Sequence, residues 1–163
     1  MMRVGLGYDV HPFGGDGPLV LGGVTIDGPG LSGHSDADVV THAVADALLS
    51  PAGLPDLGEL YPASDDQYRD ASSIALLREI AERLSAERWT VDNVDVVVAA
   101  EHPTLSPHIA TMAGNVDDAL GALREPFNTE PLVSITPKRG EGVGFVGRGE
   151  GIAAWAVALL HRD

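Results

Sequence analysis

Two short stretches of this sequence bring imidazoles and carboxylates within reach of one another. The first is Gly7-Tyr8-Asp9-Val10-His11; the second is His34-Ser35-Asp36-Ala37-Asp38, with His42 a turn further on. On an extended strand, residues two apart point the same way, so Asp9 and His11 present a carboxylate and an imidazole side by side. His42 can add a second imidazole from a helix. Two histidines and one carboxylate, with a fourth position left open, make a catalytic metal set rather than a structural one. Such a set suits zinc or non-haem iron(II), and since nothing in the sequence looks built for oxygen chemistry, zinc is preferred. The ligands alone would also serve a zinc-dependent phosphate-ester hydrolase. His34 precedes the helix start, where its ring and the first free N–H groups face an anion, so it is assigned to substrate or transition-state contact. His108 is read as structural, His102 as exposed and His161 as a terminal residue without a role.

The elements that must position these groups follow from periodicity. Residues 3–10 read as a strand, and Leu19 to Ile26 as a second strand broken by Gly22-Gly23. A helix is expected from Ser35, with Ser35 and Asp38 as a capping box. Asp38, His42 and Asp46, four apart, share one of its faces, and Pro51 and Gly53 stop it. Residues 53–70 form a long loop rich in Pro, Asp and Gly, of a kind that is often functional. A helix over 71–87, a buried strand over 94–100, a helix from Ser106 with Pro107 in its first turn, and a short strand over 132–136 follow. Residues 153–160 fit helix or strand equally. Strands alternating with helices argue for an α/β (α+β) class.

With 163 residues the chain fits a single domain, 1–163, with one core. It has no cysteine, which excludes a disulfide scaffold, an iron–sulfur cluster and a thiolate zinc site. No signal peptide and no membrane span are expected, and a cytoplasmic location is. The net charge of −14 is the wrong sign for a nucleic-acid binder. It also repels any phosphate-bearing ligand, so bound metals and locally placed cations would have to reverse the field. The only lysine, Lys138, stands beside Arg139.

Four segments in order resemble the 2-C-methyl-D-erythritol 2,4-cyclodiphosphate synthase family. They are Gly5 to His11, then His34 to Val39 with His42, then Asp56-Leu57-Gly58 with Tyr61-Pro62, then Gly144 to Ile152. The resemblance implies a cyclising phosphorus–oxygen lyase of the non-mevalonate route to isoprenoids. Its substrate is 4-diphosphocytidyl-2-C-methyl-D-erythritol 2-phosphate and its products are the 2,4-cyclodiphosphate and CMP. It implies a homotrimer whose mixed β-sheets, covered by helices on the outside, face the threefold axis, with active sites between neighbouring subunits. It makes Asp9, His11 and His42 the zinc ligands and Glu141 the ligand of a second ion, magnesium or manganese. His34 and Ser35 become phosphate contacts, with His34 as transition-state stabiliser. Asp56, Leu57 and Gly58 become the erythritol-contacting turn, and residues 61–65, with Tyr61 and Asp65, a flap. The segment from Ala100 through Pro103, Thr104 and Leu105 to Ser106 becomes the cytosine loop. Phe145, Arg148 and Glu150 would line a cavity on the axis that can hold an isoprenoid diphosphate. By the same resemblance, residues 151–160 form a strand.

The sequence departs from the family pattern in three places. Ala63 stands where the flap usually has an acid, and Thr104 where the cytosine loop usually has a lysine. Pro137-Lys138-Arg139-Gly140 replaces a threonine-rich run, so the threonine expected to steady the transition state falls at Arg139, with Thr136 as the nearest hydroxyl. A Lys138-Arg139 pair beside phosphates can do similar electrostatic work. A third reading, a non-catalytic metal-stabilised trimer that binds isoprenoid diphosphates, leaves the flap and cytosine loop without a purpose.

Overall fold

Strand β1 (Met2–Gly15) alternates strictly: Gly5 and Gly7 are buried, Met2, Val4, Leu6, Tyr8 and Val10 are exposed, and Asp9 and His11 lie on the same side as the two glycines. The chain, seen in a computed structural model, is described over residues 1–62, 64–68 and 71–162; Ala63, expected in the flap, lies outside the described residues. β2 (Leu19–Leu21) and β3 (Val24–Ile26) form a hairpin, so the stretch read as one broken strand is two strands. Gly22 and Gly23 turn it with φ of 53° and 68°, a conformation that glycine adopts without steric cost.

β4 (Gly30–Leu31) pairs with the end of β1. Helix α1 (Val39–Ala52) follows, and it starts later than expected. Ser35 and Ala37 have φ of 56° and 53°, which breaks the capping box, and Asp38 caps the helix instead. The Asp38 carboxylate accepts from Thr41 N–H at 3.1 Å and from the Gly22 and Gly23 N–H groups at 2.8 Å each. Asp38 is fully buried and burial pushes its carboxyl up, so it fastens the hairpin to the helix start rather than joining His42 in a cavity.

The long loop is partly ordered by α2 (Leu57–Leu60), capped by Asp56, and by a 3-10 turn at Asp66–Tyr68. α3 (Ser73–Ala86) is capped by Ser72. β5 (Thr90–Ala99), α4 (Ile109–Ala119), β6 (Val133–Lys138), α5 (Gly144–Gly147) and β7 (Gly151–His161) complete the chain. A 3-10 turn at Ser106–His108 precedes α4 where the sequence predicts helix.

The main sheet has the order β4-β1-β7-β5-β6, with β7 antiparallel to both neighbours and β5 parallel to β6. Pairing on both sides decides the segment whose composition is ambiguous: β7 runs from Met2↔His161 to Pro12↔Gly151 against β1. Helices cover one face, and the core lies beneath them. α1 approaches β1 closely because Gly5 and Gly7 lack side chains; a Cβ at Gly7 would lie 1.9 Å from the Ala43 carbonyl oxygen. The other face is open. Val4 is 69% and Leu6 65% exposed, and Tyr8 stacks on its cross-strand partner Trp155 at 5.3 Å. An apolar face of this extent marks an interaction surface.

Candidate metal centre

β1 supplies Asp9 and His11 from alternate positions, and α1 lays His42 over them because the two glycines let the helix close on the strand. Three ligand atoms meet. His11 Nε2 lies 2.9 Å from Asp9 Oδ2, His42 Nδ1 lies 3.0 Å from the same oxygen, and the two ring nitrogens are 3.2 Å apart. An ion with metal–ligand bonds of about 2.0–2.1 Å in tetrahedral geometry holds its ligand atoms about 3.3 Å apart. The donor set and its spacing therefore fit a small divalent cation of the zinc type. Among the described residues, no other group of three or more histidine and acidic side chains converges in this way.

The far ring nitrogens are engaged. His11 Nδ1 donates to the Ser32 carbonyl at 3.1 Å, which leaves the Nε2 lone pair of the neutral ring facing the cluster. His42 Nε2 lies 2.9 Å from Ser73 Oγ and 3.1 Å from Ser35 Oγ. Burial raises the Asp9 carboxyl, but the His11 and His42 rings set against its oxygen outweigh it and hold Asp9 well below the usual carboxylate range. Burial lowers His11, yet the Asp9 carboxylate beside it lifts it above the ordinary imidazole value. The site therefore stores a carboxylate with imidazoles at its oxygen, an arrangement that a cation can enter by displacing protons.

The centre opens into a cavity of about 210 Å³ lined by Asp9, His11, His34, Ser35, His42, Asp46, Leu57, Gly58, Tyr61 and Leu76. Most of the first group of expected residues is thus brought together. The His34 Nε2 atom is buried without a hydrogen-bond partner, as suits a group kept for a ligand. Asp46 accepts from Leu57 N–H at 2.9 Å, which pins the 57–58 turn to α1, and burial pushes its carboxyl up. Asp56 turns its carboxylate to Glu59 N–H as the α2 cap. Tyr61 packs edge-on to Tyr68, and burial together with Glu79 pushes its hydroxyl up to about 12. Asp65 accepts from Gln67 N–H at 3.1 Å.

The second group of expected residues lines a separate cavity. Ala100, Pro103, Thr104, Leu105, Ser106, Pro137, Lys138 and Arg139 surround about 130 Å³ between the ends of β5 and β6. Sequence reasoning missed Glu101 in this cavity. Its carboxylate accepts from Arg139 Nη2 at 2.9 Å and from Gly140 N–H at 3.0 Å, and Arg139 holds it below the usual range. Arg139 is therefore paired rather than free. Thr136 is exposed on β6, and Glu141 is exposed with φ of 52°. Neither lines the cavity of the metal centre. Phe145 packs with Val146, Ala99 and Ala153 in a small second cluster, and Arg148 Nε donates to Glu150 at 2.6 Å. His161, read as idle, is bound by Asp92 and Glu125. Ser73 was also missed, since it directly follows a helix cap and carries no signal of its own in the sequence; Asp36 stands in the second stretch but was given no role there.

Comparison with known proteins gives consistent results. A bifunctional enzyme IspD/IspF from Anaeromyxobacter sp. (strain Fw109-5) is 50% identical over 161 residues, 99% of this chain and 40% of that protein. The chain thus spans about 40% of the length of that bifunctional relative. A 2-C-methyl-D-erythritol 2,4-cyclodiphosphate synthase from Sodalis glossinidius (strain morsitans) is 45% identical over 162 residues, 99% of both chains. Among solved structures, IspF from Plasmodium falciparum in complex with CDP has a TM-score of 0.82 at 28% identity, covering 99% of this chain and 97% of that one. Residues 2–161 match the YgbB family, and the chain belongs to that family, together with the 2-C-methyl-D-erythritol 2,4-cyclodiphosphate synthases it resembles along its whole length.

Proposed function

We propose that the protein converts 4-diphosphocytidyl-2-C-methyl-D-erythritol 2-phosphate into 2-C-methyl-D-erythritol 2,4-cyclodiphosphate and CMP, as a lyase of isoprenoid biosynthesis. The observation that carries this reading is the meeting of Asp9 Oδ2, His11 Nε2 and His42 Nδ1 beside a cavity that holds a buried, unpartnered His34 nitrogen. In the reaction the substrate's own 2-phosphate attacks the β-phosphorus of its diphosphate and CMP leaves. Little covalent work falls to the protein; it must fold the substrate and neutralise charge.

Zinc held by Asp9, His11 and His42 would supply a Lewis acid for a phosphate oxygen. Glu141, with phosphate oxygens and waters, suits magnesium or manganese. His34 and Ser35 orient the phosphates from the first turn of the cavity. Asp56, Leu57 and Gly58 receive the erythritol, and Tyr61 and Asp65 belong to the covering segment. The cavity at 100–106 receives cytosine; that the Plasmodium falciparum protein forms a complex with CDP supports a cytidine nucleotide as the kind of ligand. Lys138 and Arg139 flank it as cations, and Arg139 must leave Glu101 to reach a phosphate.

The two cavities lie apart within one chain, and the open apolar face of the sheet supports a homotrimer that brings the metal centre of one subunit to the cytosine cavity of the next. Phe145, Arg148 and Glu150 would then line the axis, where an isoprenoid diphosphate fits. Among the described residues no helix is long and apolar enough to cross a membrane. The cytoplasmic location expected above belongs to the same proposal, and cell fractionation tests it. The hydrolase alternative is dropped, since the Sodalis glossinidius relative, 45% identical over 99% of both chains, is named a synthase. Phosphorus NMR of the reaction with zinc and magnesium decides the matter. A pair of coupled signals from a cyclic diphosphate with equimolar CMP is the expected result; free phosphate alone would overturn the proposal.

A further inference from the structure

We infer that Ser73 and Asp36 are positioning residues that fix which nitrogen of His42 faces the metal. The argument runs on the direction of hydrogen bonds. The Asp36 carboxylate receives two donors from one residue at the start of α3: Ser73 N–H at 3.0 Å and the Ser73 hydroxyl. As a carboxylate, Asp36 only accepts, so the single proton of Ser73 Oγ is committed to it. Its place at the first turn of a helix, where free N–H groups point outward, favours the negative charge. Ser73 Oγ is then left with lone pairs alone to offer His42 Nε2, which lies 2.9 Å away. His42 must donate there, and a neutral ring protonated at Nε2 has its lone pair on Nδ1. That is the atom 3.0 Å from Asp9 Oδ2 and 3.2 Å from His11 Nε2.

Ser73 is 1% exposed, so no bulk water competes for this bond. Ser35 Oγ, 3.1 Å from the same nitrogen and 3.2 Å from Ser73 Oγ, does not replace it. Its proton has no committed acceptor, and it can donate to His42 as readily as accept from it. Once Ser73 has fixed the ring, Ser35 is released to turn its proton toward the cavity it lines. Asp36 also holds the approach to α3: its N–H donates to the Ala71 carbonyl at 3.2 Å. Asp36 therefore ties together the metal ligand and the residues that lead into α3.

This inference rests on the metal-binding reading above, and zinc affinity, measured by competition with a chromogenic chelator, separates the two. Wild type should bind one zinc per chain. Ser73→Ala should weaken zinc about 10–100-fold, the usual effect of losing an outer partner of a ligating histidine. Ser73→Thr, which keeps the hydroxyl, should recover most of that loss, and turnover of Ser73→Ala should rise with excess zinc. Asp36→Asn, whose amide can donate to Ser73 and turn the hydroxyl proton toward His42, should weaken zinc in the same direction. Unchanged affinity in a folded Ser73→Ala overturns the inference and leaves the function intact. If Ser73→Ala does not fold, Asp36→Asn decides: weakening supports the clamp and wild-type affinity overturns it. A wild type that binds no zinc overturns both readings.

Discussion

Two clusters in this protein are built from the same kinds of side chain and do opposite things. Between β1 and α1, Asp9, His11 and His42 put one oxygen and two nitrogens from different rings on a common point, while Ser32 and Ser73 occupy the far nitrogens. At the end of the sheet, His161 lies between Asp92 and Glu125, with Nδ1 3.0 Å from one carboxylate and Nε2 3.0 Å from the other. The two nitrogens of that ring face different carboxylates on different sides, so the three groups share no common point for a cation. Asp92 first and Glu125 second lift His161 above the ordinary imidazole value. One cluster is a socket and the other a charge clamp on the strand ends. Inventory does not separate them; the direction of each lone pair does.

The largest test of that contrast is ligand removal. Asp9→Ala or His42→Ala should abolish zinc binding and lower turnover by more than ~100-fold, beyond the ceiling for losing an outer-shell partner. His161→Ala should leave both near wild type, and equal losses from the two clusters would erase the distinction. Next comes the spacing between helix and strand. Gly7→Ala drives a Cβ against the Ala43 carbonyl oxygen and should cost about 1–3 kcal/mol or more, seen as a lower melting temperature and weaker zinc binding. Gly121→Ala, which meets nothing within 4 Å, is its control.

Metal and proton compete at the socket. The raised His11 value means that its protonated pair with Asp9 stabilises the metal-free fold below pH 6.5 and ceases to as pH rises through the raised value. Zinc needs that nitrogen bare, so the gap in melting temperature between zinc-loaded and chelator-treated protein should widen from about pH 5 to about pH 8. A constant gap would show that the imidazole is not a ligand. The smallest effect belongs to the clamp. Its raised value likewise gives stability that is fully present below pH 6.5 and lost on going up, so His161→Gln should lower the melting temperature slightly near pH 6 and not near pH 9. A surface arrangement of this kind contributes ~0–1 kcal/mol. In the second cavity, Arg139→Ala should slow turnover; if turnover is unchanged and Thr136→Ala abolishes it, the hydroxyl and not the guanidinium serves the phosphates.

Much of the socket was legible because its ligands obey short-range rules. Asp9 and His11 follow the period of a strand, and His42 the start of a helix. Asp38 was misread, since its spacing from Ser35 fits a capping box while its carboxylate is claimed by the N–H groups of a hairpin turn 15 residues earlier. β7 could not be read from composition because its alanines suit either period, and only its two neighbours make it a strand. Ser73 and Glu101 stayed hidden for a related reason. Each acts on a partner more than 30 residues away, and no local pattern marks such a meeting.

β1 carries Asp9 and His11 on its helix side and Tyr8 and Val10 on its open side, in strict alternation. Inserting one residue early in this strand would swap the two sets, turning the ligands outward and driving an aromatic ring beneath α1. The metal ligands and the open apolar face are thus written in alternate letters of one word, and neither can be edited by a shift of frame without scrambling the other.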